Sequence, residues 1–97
     1  MKVQITTLAN EHLIEGYHFY ESPSDGLGRY FINSLYADID SLRLTAGVHT
    51  VHFRKYYRLL SKRFPFAVYY KIKDDTAVVR AVLDCRRSPA WAKKKLS

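Results

Sequence analysis

The side chains best suited to chemistry in this 97-residue chain are cations and aromatic rings. Arginine and lysine bind phosphate and carboxylate oxygens, and aromatic rings offer flat surfaces for stacking. Nine of these residues lie on predicted strands or close to their ends, and we call them the candidate partner-binding set. They are Arg58, Lys62, Arg63, Tyr69, Lys71, Arg80, Arg86, Arg87 and Trp91. This combination indicates a surface for an anionic or acidic partner.

The sequence offers few side chains near these cations that could act as a general acid or base. His49 and His52 are the nearest imidazoles, and nothing in the sequence fixes the tautomer or orientation of either ring. We interpret them first as exposed loop histidines. Neither the histidines nor Asp74-Asp75 have the neighbours that a metal site needs, so we expect no metal and no cofactor.

Composition predicts one folded, basic domain over residues 1–97. A hydrophobic fraction of 47% with only 4 glycines and 3 prolines is typical of a globular chain. The net charge of +7 favours a negatively charged partner, such as nucleic acid or an acidic protein segment. No apolar run approaches the roughly 20 residues that span a bilayer, so we expect no membrane partner and a cytoplasmic protein.

Two strands joined by a tight turn are the most clearly patterned part of the chain. Apolar side chains alternate from Phe64 to Ile72 and again from Ala77 to Cys85, with Asp74-Asp75 as the turn. A period of two predicts an antiparallel hairpin with one buried face. The other face is expected to carry Tyr69, Lys71 and Arg80.

The remaining elements place this hairpin in an α+β domain. Lys2–Thr6 alternates as a first strand, residues 9–21 and 27–42 repeat at helical spacing, Val51–Ser61 predicts a third strand, and Ser88-Pro89 opens a short basic helix. We predict a small, mostly antiparallel sheet with an N-terminal helical hairpin on one face. The expected order is strand, helix, helix, strand, strand, strand and a short C-terminal helix.

The facing of the Val51–Ser61 strand stays open, because both of its sides carry apolar residues. If its even-numbered residues face away from the helices, Arg58 and Lys62 join the cations of the hairpin in one contiguous basic patch. The opposite phase removes both from that face. The same alternation predicts Tyr56 and Tyr69 on the surface.

A resemblance to a known family is carried by the order of the elements, by SPSDGLGRYFINSL between the helices and by LLSKRFPFAVYYKIKDDTAVVRAVLDCRRSPAW. Together these resemble the RelE/ParE superfamily of bacterial type II toxin–antitoxin toxins. The strand that ends in an arginine pair before a proline is similar to the ParE-like branch, often labelled plasmid stabilisation proteins. The resemblance implies a small growth-inhibiting toxin, held inactive by an acidic, partly disordered antitoxin.

The branches of this superfamily differ in target. The ParE-like branch implies binding to DNA gyrase, whereas RelE-like members cut messenger RNA on the ribosome with basic residues and an aromatic hydroxyl. This chain has Ala67 where those nucleases commonly carry an arginine, and Trp91 at the position of their C-terminal tyrosine. We therefore expect gyrase binding. The alternatives are a RelE-like ribosome-dependent endoribonuclease and a non-toxic nucleic-acid-binding module. The nuclease's catalytic residues would be Arg58, Arg80 and Arg87.

Overall fold

Five strands form one mixed sheet in the computed structural model, which describes residues 1–97. The elements are β1 (Lys2–Ile5), α1 (Thr7–Glu21), α2 (Leu27–Asp40), α3 (Leu42–Thr45), β2 (Thr50–His52), β3 (Tyr56–Leu60), β4 (Phe66–Lys73), β5 (Thr76–Asp84) and α4 (Pro89–Leu96). The strand order is β1-β5-β4-β3-β2, with β1 parallel to β5 and the other neighbours antiparallel. The predicted α+β class and the mostly antiparallel sheet are confirmed.

Each of the two long helices begins where a side chain accepts hydrogen bonds from backbone amides. Thr6 caps α1, since its Oγ1 accepts from the amide of Ala9 at 3.2 Å. At the start of α2, the Glu21 carboxylate accepts from the amides of Gly26 and Gly28 at 3.0 and 2.9 Å. These bonds lower the pKa of Glu21, and they tie the end of α1 to the beginning of α2.

The main core lies between this helical hairpin and one side of the sheet, which we call the helix face. Its large, fully buried side chains come from both layers and include Leu13, Phe31, Leu35, Val68, Tyr70 and Val79. Burial of a side chain of this size contributes about 1.5–3 kcal/mol, so this layer is the chief source of stability. The opposite side of the sheet, which carries Tyr56, Arg58 and Tyr69, we call the second face.

The predicted third strand is in fact a second hairpin, β2 and β3. Three residues, Phe53 to Lys55, connect the two strands. Phe53 and Arg54 have left-handed φ of 56° and 62°, and the amide of Lys55 donates to the carbonyl oxygen of His52 at 3.2 Å, which closes a tight turn. The sequence offers no glycine or asparagine there, so the turn was missed. The structure decides which side of this strand faces the helices. Tyr57 pairs with Tyr70 on the helix face, so the even-numbered Arg58 is on the second face.

A β-bulge at Arg80 changes the facing of β5 halfway along the strand. Tyr70 pairs with Val79 and Tyr69 with Ala81, which leaves Arg80 as the extra residue. Because one inserted residue reverses the alternation, Val79 faces the main core while Ala81 faces the other way. The predicted alternation of this strand is therefore correct only as far as Val79.

The C-terminal helix α4 lies across part of the second face, and the rest of that face is open. A second buried cluster forms there from Tyr56, Ala67, Tyr69, Ala81, Leu83 and Ala92. Tyr56 and Tyr69 are 6% and 4% exposed, so their predicted surface positions are wrong. The phenol of Tyr56 also donates to the carbonyl oxygen of Leu96 at 3.1 Å, which fastens the end of α4.

Candidate partner-binding surface

Two of the predicted cations lie on the second face beside the α4 cluster, and a third, Arg80, lies at the bulge of β5. Arg58 lies opposite Tyr69 in the ladder, and Lys71 holds its Nζ 5.0 Å from the centre of the Tyr56 ring. Arg80 is exposed at the bulge of β5, where the alternation that assigns side chains to one face is interrupted. Since none of the three forms a salt bridge, this face presents uncompensated positive charge.

Arg58 is the most unusual of these cations. Its Nε is buried and has no hydrogen-bond partner. A buried donor without a partner costs about 1–3 kcal/mol, more when it belongs to a charged group. A partner that brings an acceptor oxygen to this atom would remove that cost, so Arg58 is the residue of the face with the most to gain from an anionic ligand.

His52 is the one imidazole on the second face, because β2 pairs it with Tyr56. Its Nε2 lies 3.1 Å from the hydroxyl of Thr50, and burial and the charge of Arg58 lower its pKa. His49 instead contacts the phenol of Tyr70 through Nδ1. The interpretation of His49 as an exposed loop residue is therefore wrong, since it ties its loop to a core side chain.

Lys62 and Arg63 do not lie on the second face, although Lys62 was predicted to join the patch there and Arg63 belonged to the candidate partner-binding set. Both line a small pocket of about 170 Å³ against α2. Arg63 donates to the phenol of Tyr30 at 2.9 Å, and its guanidinium lies 5.7 Å from that ring's centre. The nine candidates therefore do not form one contiguous surface.

Arg86 is occupied by an ion pair at the end of β5. Its Nε and Nη2 donate to the two carboxylate oxygens of Asp84 at 3.0 and 2.8 Å, a bidentate geometry. These hydrogen bonds are the main reason that the pKa of Asp84 is lowered. A new anion would have to displace this carboxylate before it could use both nitrogens of Arg86.

Arg87 and Trp91 belong to a different site, a groove of about 390 Å³ between α1, α4 and the end of β5. The guanidinium of Arg87 and the ammonium of Lys95 lie 4.5 and 5.6 Å from the centre of the Trp91 ring. Because cations already cover Trp91, it is not a free platform for stacking on a base.

The same groove contains a histidine that sequence reasoning overlooked. His12 is 9% exposed, and its Nδ1 accepts from the amide of Val82 at 3.2 Å. Burial lowers its pKa, which keeps the ring neutral with its proton on Nε2. The bond satisfies an amide at the end of β5 that β1 is too short to reach, so His12 joins α1 to the sheet.

Three remaining features can be stated briefly: metal ligands, the single cysteine and helix length. No group of three or more histidine, cysteine, aspartate or glutamate residues lies close enough to hold a metal ion. Cys85, expected on the apolar side of a strand, lies beyond β5 and is exposed. None of the helices combines the length and apolar character needed to cross a membrane.

The fold can be compared with known proteins. No family model matches the chain, and no curated protein matches it. Among solved structures, a chain of the "Chromosomal ParDE TA system from P. aeruginosa" matches with a TM-score of 0.75 and 16% identity, covering 84% of this chain and 92% of that one. The chain therefore shares its fold with a component of that system, and the fold implied by the resemblance to the RelE/ParE superfamily is confirmed.

Proposed function

We propose that this protein is the toxin of a type II toxin–antitoxin pair that arrests bacterial growth by binding DNA gyrase. The proposal is carried by the likeness to the ParDE structure over 84% of the chain, in which TA stands for toxin–antitoxin. Gyrase is the target that the ParE-like resemblance implies. A cognate acidic antitoxin neutralises the toxin, which agrees with a net charge of +7 on this chain.

The second face supports binding rather than catalysis. Cleavage of RNA needs a base for the ribose 2′-hydroxyl and an acid for the leaving oxygen. The phenol of Tyr56 is committed to the carbonyl of Leu96, and Tyr69 is buried. Trp91, at the position where the nucleases have a tyrosine, has no hydroxyl and lies under two cations. An acid–base pair is therefore not assembled beside Arg58.

A RelE-like endoribonuclease is the second candidate, and one observation favours it. His52 shares the second face with Arg58, whose charge contributes to its lowered pKa, so a neutral imidazole stands near an unpaired guanidinium donor. Such a pair could serve as a base and a phosphate ligand. In this mechanism Arg58 and Arg80 would contact the phosphate, whereas Arg87, in the separate groove, would not.

Pulse-labelling of DNA and protein synthesis just after induction of this chain in bacteria separates the candidates. Gyrase binding predicts that DNA synthesis falls first, while the nuclease predicts that protein synthesis falls first. Substitution His52→Ala abolishes growth arrest only in the nuclease case, and Lys55→Ala, on the exposed hairpin turn, is its control. Unchanged growth with well-expressed wild-type protein would refute both and favour a non-toxic nucleic-acid-binding module.

A further inference from the structure

The groove between α1, α4 and the end of β5 offers apolar surface to a small molecule. Its apolar lining residues are Leu8, Phe19, Phe66, Val82, Leu83 and Trp91. Leu8 and Phe19 are 45% and 60% exposed, so a ligand seated against them would remove apolar surface from water. The groove has a volume of about 390 Å³. This volume falls in the range of small-molecule sites, about 300–1,000 Å³.

His12 gives this groove a hydrogen-bond donor that the fold does not use. Its ring is only 9% exposed, and Nδ1 accepts from the amide of Val82. Because the ring is neutral, its single proton is on Nε2. No group of the chain accepts from Nε2, and this atom is not fully buried, so it opens into the groove that the ring lines. A ligand with an acceptor oxygen would satisfy this donor.

The two sides of the groove carry opposite charges. Glu11 and Glu15 of α1 form an acidic wall, and Arg87 and Lys95 form a basic wall. None of the four belongs to either ion pair of the chain. Burial is the main reason that the pKa of His12 is lowered, and the charges of Glu15 and Lys95 act on this pKa in opposite directions, so both walls lie near the ring. A ligand with one positive and one negative group would therefore meet an unpaired charge on each wall.

We propose that this groove binds a free amino acid with an aromatic side chain, such as phenylalanine. The ammonium group of the ligand faces the acidic wall. Its carboxylate faces the basic wall and accepts from Nε2 of His12, while its ring packs on Leu8 and Phe19. A residue inside a peptide carries neither charge, so this arrangement selects the free amino acid. The inference does not rest on the proposed function, because it involves neither gyrase nor the antitoxin.

Nuclear magnetic resonance titration of the whole chain with L-phenylalanine tests the site directly. Three analogues each lack one feature of the ligand: 3-phenylpropionate has no ammonium, 2-phenylethylamine has no carboxylate and L-alanine has no ring. We expect L-phenylalanine to shift the signals of the His12 ring nitrogens and the Val82 amide, and each analogue to bind about threefold more weakly or worse. Shifts confined to other parts of the chain, no binding, or an analogue as tight as L-phenylalanine would overturn the proposal.

A blocked ligand, N-acetylphenylalanine amide, distinguishes a free amino acid from a peptide segment. It keeps the aromatic ring but carries neither charge. We expect it to bind more weakly than all of the singly charged analogues. Binding as tight as that of L-phenylalanine would show that the groove receives a peptide side chain, and it would overturn the proposal.

Substitutions in the two walls should have opposite selectivity. Lys95→Gln should weaken L-phenylalanine and 3-phenylpropionate about threefold, the scale of an exposed ion pair, and leave 2-phenylethylamine unchanged. Glu15→Gln should weaken L-phenylalanine and 2-phenylethylamine and leave 3-phenylpropionate unchanged. The matched controls are Lys93→Gln and Asp25→Asn, which lie outside the groove and should change nothing. All four side chains are exposed, so the variants are expected to fold. Equal effects of a wall variant and its control would contradict the proposal.

Discussion

The close approach of α1 and α2 predicts that Gly28→Ala destabilises the fold, although alanine is the better helix former. A Cβ built at Gly28 would lie 2.6 Å from the backbone oxygen of Tyr17 and 2.7 Å from the Cβ of Glu21. Real Cβ atoms essentially never show contacts below 3.0 Å, so something must shift. The obstacle is backbone, and a rotamer change therefore cannot relieve it.

The change in the free energy of unfolding caused by Gly28→Ala is the difference between two opposing contributions. Overpacking of this kind costs about 1–3 kcal/mol, and the upper end applies because one helix must move as a body. Alanine in a helix recovers about 1 kcal/mol relative to glycine. Separation of the helices also lengthens the 2.9 Å hydrogen bond from the Gly28 amide to Glu21. We expect a net loss of about 2 kcal/mol in the free energy of unfolding, or about 8–16 °C in Tm for a chain of this size.

Urea denaturation followed by circular dichroism measures this loss, with the midpoint lowered and the slope unchanged. Asn33→Ala is the control, since Asn33 is exposed on the same helix and alanine there gains propensity without a clash. We expect the control to be as stable as the wild type or slightly more stable. Gly28→Ala with the stability of the control would refute the close approach of the helices.

Three further predictions concern buried polar groups. Because burial lowers the pKa of His12 below 6.5, its contribution to stability is complete above pH 6.5 and is lost as pH falls through the folded-state value. His12→Gln should therefore flatten the fall in unfolding free energy measured between pH 7 and about 5. Tyr70→Phe leaves the amide of Gly47 without its 2.9 Å acceptor and should cost about 1–3 kcal/mol by urea denaturation. Arg58→Met removes a buried unpaired donor, so thermal unfolding should show no loss of stability while growth arrest is lost.

Most of the architecture was predictable because alternation and helical spacing are properties of single elements. Two features of the sheet that the sequence did not predict are backbone irregularities without a residue signature. The left-handed turn at Phe53 and Arg54 lacks the glycine or asparagine that usually indicates one. The bulge at Arg80 reverses the facing of β5, and no residue type marks its position.

The candidate site was harder to predict than the fold, because it depends on which elements meet. Sequence patterns place residues on strands, but they do not say that α4 crosses the second face and buries Tyr69. They also do not say that Arg86 is held by Asp84, or that Arg63 turns towards Tyr30. Nothing in the sequence indicates the role of His12, because its ring accepts a hydrogen bond from Val82 of β5, which is 70 residues away in the chain.

Inhibition of purified DNA gyrase by the purified chain is the decisive test of the proposed gyrase binding. We expect the chain to stop gyrase from supercoiling relaxed plasmid DNA, and we expect Arg58→Met, which should keep the fold, to leave supercoiling intact. Ribosomes translating a defined messenger RNA serve as the parallel assay, and we expect no cleavage there. Unaffected supercoiling together with ribosome-dependent cleavage would contradict the claim and establish the nuclease in its place.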